Sequence, residues 1–110
     1  MTTTTQRQLW ALGDPSRRAI FEKLARRPLA VGELAECFPI SRPAVSQHLR
    51  ILTEARLVLH HRQGTQNIYR VNPDGIAALR DYLDAMWTRS LRDFKAVAES
   101  SYNRARKEKS

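Results

Sequence analysis

Apolar positions along the first half of the chain recur at spacings of three and four, the period of helices that bury one face. Leu9, Trp10 and Leu12 predict a short first helix from about Gln6 to Leu12, which Gly13 is suited to close in a left-handed conformation. Asp14-Pro15 is a start signal, with Asp as N-cap and Pro at the first helical position. The helix that follows turns Ile20, Phe21 and Leu24 inward and Arg17, Arg18, Glu22 and Lys23 outward, and Arg26-Arg27-Pro28 ends it. Val31–Cys37 gives two more turns with Val31, Leu34 and Ala35 inward; Ala30 before it is a poor cap, so packing must hold this piece. Cys37, at its end, is expected to be a small buried hydrophobe.

After the turn Phe38-Pro39-Ile40 comes Ser41, whose hydroxyl can accept from an orphan N–H of the first turn, with Pro43 inside that turn. Val45, Leu49 and Leu52 then fall on one helical face. The period changes at Leu57. Leu57–Arg62 and Gln66–Val71 are extended runs rich in β-formers on either side of Gln63-Gly64-Thr65, the pattern of a β-hairpin. Asn72-Pro73 breaks the second run and Asp74 is placed to cap a long final helix. Ile76, Leu79, Leu83 and Met86 form its seam, which continues in a shifted phase through Trp87, Leu91, Phe94 and Ala98.

The fold class is therefore mostly α with a small β-hairpin. Residues 1–5 are expected to be a flexible N-terminus, 6–100 a single domain, and 101–110 a basic, disordered tail. The final helix carries more apolar surface than so small a core can cover. Leu9 and Trp10 of the first helix, with Ile76, Leu79, Leu83, Met86, Trp87 and Leu91, are accordingly expected to form a homodimer interface.

Charge narrows the partner. Lys and Arg outnumber Asp and Glu by 19 to 11, a formal charge of +8 that favours a polyanion, nucleic acid before a membrane surface. The N-terminus lacks the apolar stretch of a signal peptide, no apolar run suits a bilayer span, and a single cysteine excludes an intrachain disulfide; these point to the cytoplasm.

The face opposite Val45, Leu49 and Leu52 carries Arg42, Ser46, Gln47 and Arg50, all donors, with no acid between Ser41 and Leu52. Such a face suits the major groove of double-stranded DNA, where base edges and phosphates present acceptors. Two short helices about a tight turn, the second rich in donors, make a helix-turn-helix, and the hairpin after them makes its wing. Ser41, Arg42, Pro43, Ser46, Gln47 and Arg50 are the expected DNA-binding residues of the helix, with Arg62, Gln63 and Thr65 approaching through the wing. Gln47 suits adenine, Arg42 guanine and Arg50 a phosphate. His48, beside the buried face, is read as a packing residue.

Asp14–Leu24, Val31–Ala35, Ser41–Arg50 and the wing with Gly64 closely resemble the ArsR/SmtB family of bacterial repressors, over roughly Leu9 to Ala98. The resemblance implies a winged helix-turn-helix homodimer that dimerises through its first and last helices, occupies a roughly palindromic operator and leaves it when an effector binds. The chain departs from the family's metal sensors, which carry a Cys-Val-Cys type motif in the third helix or a His/Asp/Glu set on the last. Here the third helix offers only Cys37, and the last helix has Asp81, Asp84, Asp93 and Glu99 but no histidine. His60 and His61 are strand neighbours and point to opposite faces. Zinc takes four converging ligands, so no metal site and no cofactor are expected.

The expected function is sequence-specific transcriptional repression without a metal, responding to a small molecule, to another protein, or to nothing beyond its own concentration, a choice the sequence leaves open. The alternatives are a metal- or redox-responsive sensor using Cys37 and the histidines, and a non-specific nucleic-acid or protein-interaction module. No Ser/His/Asp set, glycine-rich phosphate loop or paired carboxylates suggest an enzyme.

Overall fold

In the computed structural model residues 3–108 are described; residues 1, 2, 109 and 110, parts of the expected flexible N-terminus and tail, lie outside them. Two units are distinguished, one ending at Leu79 and one beginning at Arg80. The first contains helices α1 (Thr3–Gly13), α2 (Pro15–Arg26), α3 (Val31–Cys37) and α4 (Arg42–Glu54), strands β1 (Leu29–Ala30), β2 (Val58–Gln63) and β3 (Gln66–Val71), and the start of helix α5 (Pro73–Glu108).

Helix α1 begins at Thr3 rather than Gln6, and Thr5 is already buried. Its inward residues are Gln8 and Ala11, while Leu9 and Trp10 stay exposed. Gly13 has no positive φ; the helix ends because Asp14 turns extended and caps α2, accepting the Arg17 N–H at 2.9 Å with Pro15 next in line. Arg17, expected outside, is buried. Its Nε donates to the Ala11 carbonyl at 2.9 Å and its guanidinium lies 4.7 Å over the Trp10 ring. Arg18 reaches the Leu12 carbonyl at 3.4 Å. Helix α1 has no basic residue in its own last turn, so α2 supplies the cations that its negative end favours.

Strand β1 is an element the periodicity does not announce: two residues are too few to show alternation. Leu29 and Ala30 are both buried and pair antiparallel with Tyr69 and Ile68, making a three-stranded sheet of order β1-β3-β2. Helix α3 follows without a loop. Ala30 cannot cap with its side chain, but the Glu33 carboxylate accepts the Ala30 N–H at 3.0 Å, which is half of a capping box, so packing is not its sole support. Cys37 is exposed, contrary to expectation, and its thiol donates to the Glu33 carbonyl at 3.3 Å; it is the last residue of α3, where the helix runs out beyond the core.

Ile20, Leu24, Leu29, Leu34, Val45, Leu49, Leu52, Leu57 and Val58 form the core, with Phe21, Phe38, Ile40 and Leu79 packed against it. The hairpin register runs from Val58↔Val71 to Gln63↔Gln66, leaving the two-residue turn Gly64-Thr65. Gly64 has φ 63°, the left-handed value that the first position of such a turn takes and that glycine adopts without cost. Helix α5 begins at Pro73, so Asp74 lies in its first turn and is not the cap.

The second unit, residues 80–108, is the remainder of α5. The helix continues through the segment expected to be disordered, to Glu108. Ion pairs one turn apart, Arg80–Asp84 at 3.6 Å and Lys95–Glu99 at 3.9 Å, lie along it. Leu83, Met86, Trp87, Leu91, Phe94, Val97 and Tyr102 are all exposed.

Candidate nucleic-acid interface

Helix α4 presents its donors because its other face is consumed by the core. Val45, Leu49 and Leu52 are fully buried, which fixes the rotation of the helix and leaves Arg42, Pro43, Ser46, Gln47 and Arg50 exposed. Its start is set by Ser41, whose Oγ accepts the Ala44 N–H at 3.2 Å, with Pro43 in the first turn. The first-turn N–H groups left without an intrahelical partner make this end weakly positive, which favours phosphate.

The arginines are held lightly. Arg50 Nε donates to Glu54 Oε1 at 3.2 Å, and both side chains are mostly in water. An exposed pair of this kind contributes about 0–1 kcal/mol, so Arg50 can exchange it for a phosphate. The Arg42 guanidinium lies beside Gly32 of α3, 3.9 Å from where a Cβ would be. His48 is half-buried, and its Nδ1 has no hydrogen-bond partner among the described residues. It sits close enough to Asp14 to act on that carboxyl. Asp14 is held below the usual aspartate range chiefly because its carboxylate accepts the Arg17 N–H; burial opposes this, and the Arg17 and His48 charges add to the lowering.

On the wing, Arg62, Gln63 and Thr65 are exposed. Arg62 Nε donates to the Gly64 carbonyl at 3.2 Å and so folds back over the turn. Consecutive strand residues point to opposite faces. Arg62, paired with Asn67, therefore shares a face with His60 and Tyr69, whose rings lie 5.1 Å apart, while Gln63 pairs with Gln66 on the other face. The three wing residues do not form one patch. A hairpin tip inside a groove meets both walls, and Gln66 and Asn67, exposed opposite Gln63 and Arg62, join the candidates. The strand alternation could have placed them.

Of the residues expected at a dimer interface, Leu9 and Trp10 are exposed, Ile76 is half-buried, and Leu79 packs against the core of its own chain. Leu83, Met86, Trp87 and Leu91 are exposed. Among the described residues no three His, Cys, Asp or Glu side chains converge as metal ligands. Cys37 stands alone at the end of α3, and Asp84 and Glu99 face arginine and lysine instead of one another.

Residues 12–61 match a family model described as a helix-turn-helix domain. The HTH-type transcriptional regulator Rv2034 of Mycobacterium tuberculosis is 54% identical over 90 residues, 82% of this chain and 84% of that protein. An arsenical resistance operon repressor of Staphylococcus xylosus is 31% identical over 80 residues, 73% of this chain and 77% of that protein. Among solved structures, the homodimeric winged helix-turn-helix DNA-binding domain of a possible ArsR-family regulator from Mycobacterium bovis superposes with TM-score 0.64 at 26% identity, covering 77% of this chain and 79% of that one.

Proposed function

The chain belongs to the ArsR/SmtB family of winged helix-turn-helix transcriptional regulators, and from that premise we propose that it is a cytoplasmic repressor acting as a homodimer on a roughly palindromic operator, without a resident metal and without catalysis. The observation that carries the reading is α4. A helix whose back buries Val45, Leu49 and Leu52 and whose front exposes Arg42, Ser46, Gln47 and Arg50 with no acid before Glu54 is a reading head for acceptor-rich DNA.

Ser41, Ser46, Gln47 and Arg42 meet base edges and the near phosphates, Pro43 shapes the first turn, Arg50 meets a phosphate, and the wing enters an adjacent groove with Arg62 and Gln63 on opposite walls. Leu9 and Trp10 on α1 and Ile76, Leu83, Met86, Trp87 and Leu91 on α5 meet a second copy; Leu79 contributes mainly inside its own chain. Two-fold symmetry then spaces the half-sites about one helical turn, or a multiple of it, apart. The net charge of +8 makes binding steeply salt-dependent through counterion release. An effector, a small molecule or a protein, releases the operator.

The test is fluorescence anisotropy with a duplex from the protein's own upstream region and a scrambled control, in chelator at fixed salt and then with excess zinc. Specific binding in chelator that zinc leaves unchanged is the expected result. Release by zinc would return Cys37 and the histidines to a sensing role. Equal affinity for both duplexes would leave a basic DNA-coating protein.

A further inference from the structure

We propose that Gln8 is a positioning residue for DNA recognition: through Gly75 and Arg56 it holds the end of α4 and so sets the angle at which that helix reads DNA. The inference rests on the reading of α4 as the DNA-reading helix.

Gln8 is fully buried in α1, and its side-chain Nε2 donates to the carbonyl of Gly75, 67 residues along the chain, at 2.9 Å. Its Oε1 has no hydrogen-bond partner among the described residues. A buried amide satisfied on one side only is a poor stabiliser, because the unmatched acceptor has lost its water. Leucine would fill the same place in a core without that cost. What the amide supplies and leucine cannot is a directed tie between α1 and the first turn of α5.

That turn bears directly on the end of α4. Gly75 is buried, and a Cβ there would overlap the Arg56 carbonyl, so only glycine lets the two backbones approach this closely. Arg56 ends α4 in a left-handed conformation, φ 61°, which is uncommon for a residue with a side chain and must be held by its surroundings. The hold is visible. Asn72 Nδ2 donates to the Arg56 carbonyl at 3.0 Å, the Asn72 N–H to the Leu57 carbonyl at 2.9 Å, and the Arg56 and Leu57 N–H groups to Thr53 and Leu52 at 3.0 Å each. The exit of the wing, the start of α5, α1 and the last turn of α4 thus meet in one hydrogen-bonded joint. A shift of the Arg56 carbonyl would move the last turn of α4, whose apolar back is otherwise held by the core, and Gln8 restrains Gly75 against that shift.

Bidentate contacts to base edges need their angles kept, whereas phosphate contacts tolerate error. Loosening the joint should therefore weaken specific binding and spare non-specific binding, which a loss of fold stability alone would not do. In the full chain, Gln8→Leu is expected to lower affinity for the operator duplex about tenfold while affinity for the scrambled duplex stays within about twofold. Gln8→Glu should stay near wild type at about pH 6, where its buried carboxyl keeps a proton and can donate to the Gly75 carbonyl, and fall toward the leucine variant by about pH 9.5, since burial lifts a carboxyl pKa by as much as about 3–5 units. Each value is taken relative to wild type at the same pH. Parallel loss on both duplexes, or an unchanged ratio, overturns the proposal. If Gln8→Leu does not fold, a Gln8→Glu ratio that stays flat with pH overturns it equally. Wild-type protein that fails to tell operator from scrambled DNA would remove the regulator reading itself, a failure visible before any variant is made.

Discussion

Helix α4 and the part of α5 beyond Leu79 carry the same kind of pattern, apolar residues at spacings of three and four with charges between, and meet opposite fates. In α4, Val45, Leu49 and Leu52 are 0% exposed; in α5, Leu83 is 39%, Leu91 48% and Phe94 72% exposed. The first helix is packed by α2, α3 and the sheet, and its polar front is left free for a ligand. The second has an exposed apolar face, with the ion pairs Arg80–Asp84 and Lys95–Glu99 along the helix. Periodicity states that a helix has a face to bury; it does not say whether the covering surface belongs to the same chain. In α4 only the polar face is left exposed, whereas in α5 apolar residues are exposed as well.

The sharpest way to break that contrast is to delete one leucine from each helix. Leu49→Ala should cost about 2–5 kcal/mol in urea unfolding, through lost burial and a cavity. Leu91→Ala, at concentrations too low for association, should cost less than about 0.5 kcal/mol. Comparable losses would mean that the α5 stripe is covered within its own chain. Next in size is the assembly: Trp87→Asp with Leu91→Asp should give a monomeric mass by light scattering and lower operator affinity about 100-fold, because the second half-site no longer binds as a linked event. A dimeric mass in that variant would place the interface elsewhere. On the front of α4, Gln47→Ala should weaken operator binding by about 1–3 kcal/mol and leave random DNA unaffected; equal weakening on both would show that Gln47 reads no base.

Smaller effects belong to the caps that start the helices. Ser41→Ala removes the acceptor for the Ala44 N–H and should cost about 1 kcal/mol, with operator affinity following only as far as the first turn frays. The Asp14 carboxyl is held low in the folded chain, so its contribution is present above the range of an unfolded aspartate and is lost as pH falls through the folded value. Urea melts of wild type and Asp14→Asn should draw together as pH is lowered from neutral through the acid range; a gap that does not narrow would assign the effect to hydrogen bonding alone.

Local chemistry made much of this legible. Ser41 and Pro43 mark where α4 begins, Asp14-Pro15 marks α2, and Gly64 marks the hairpin turn, because each acts through its own backbone within a few residues. The inward residues of α2, α3 and α4 follow from period alone. Asp74 was misplaced as a cap because Asn72 and Pro73 start the helix sooner, and β1 stayed hidden because two residues take strand geometry only from the strand beside them.

The helices, the hairpin, the donor face of α4 and the surplus apolar face of α5 each follow from residue type and spacing along a short stretch. Packing between distant elements is what buries Arg17, against Trp10 and the end of α1, and leaves Cys37 facing water. It alone decided that Gln8 reaches Gly75 and that Arg56 is held left-handed beneath it. These are contacts between residues far apart in the chain, and a buried polar group chooses its partner from whatever the packing brings within hydrogen-bond reach, a choice no local pattern encodes.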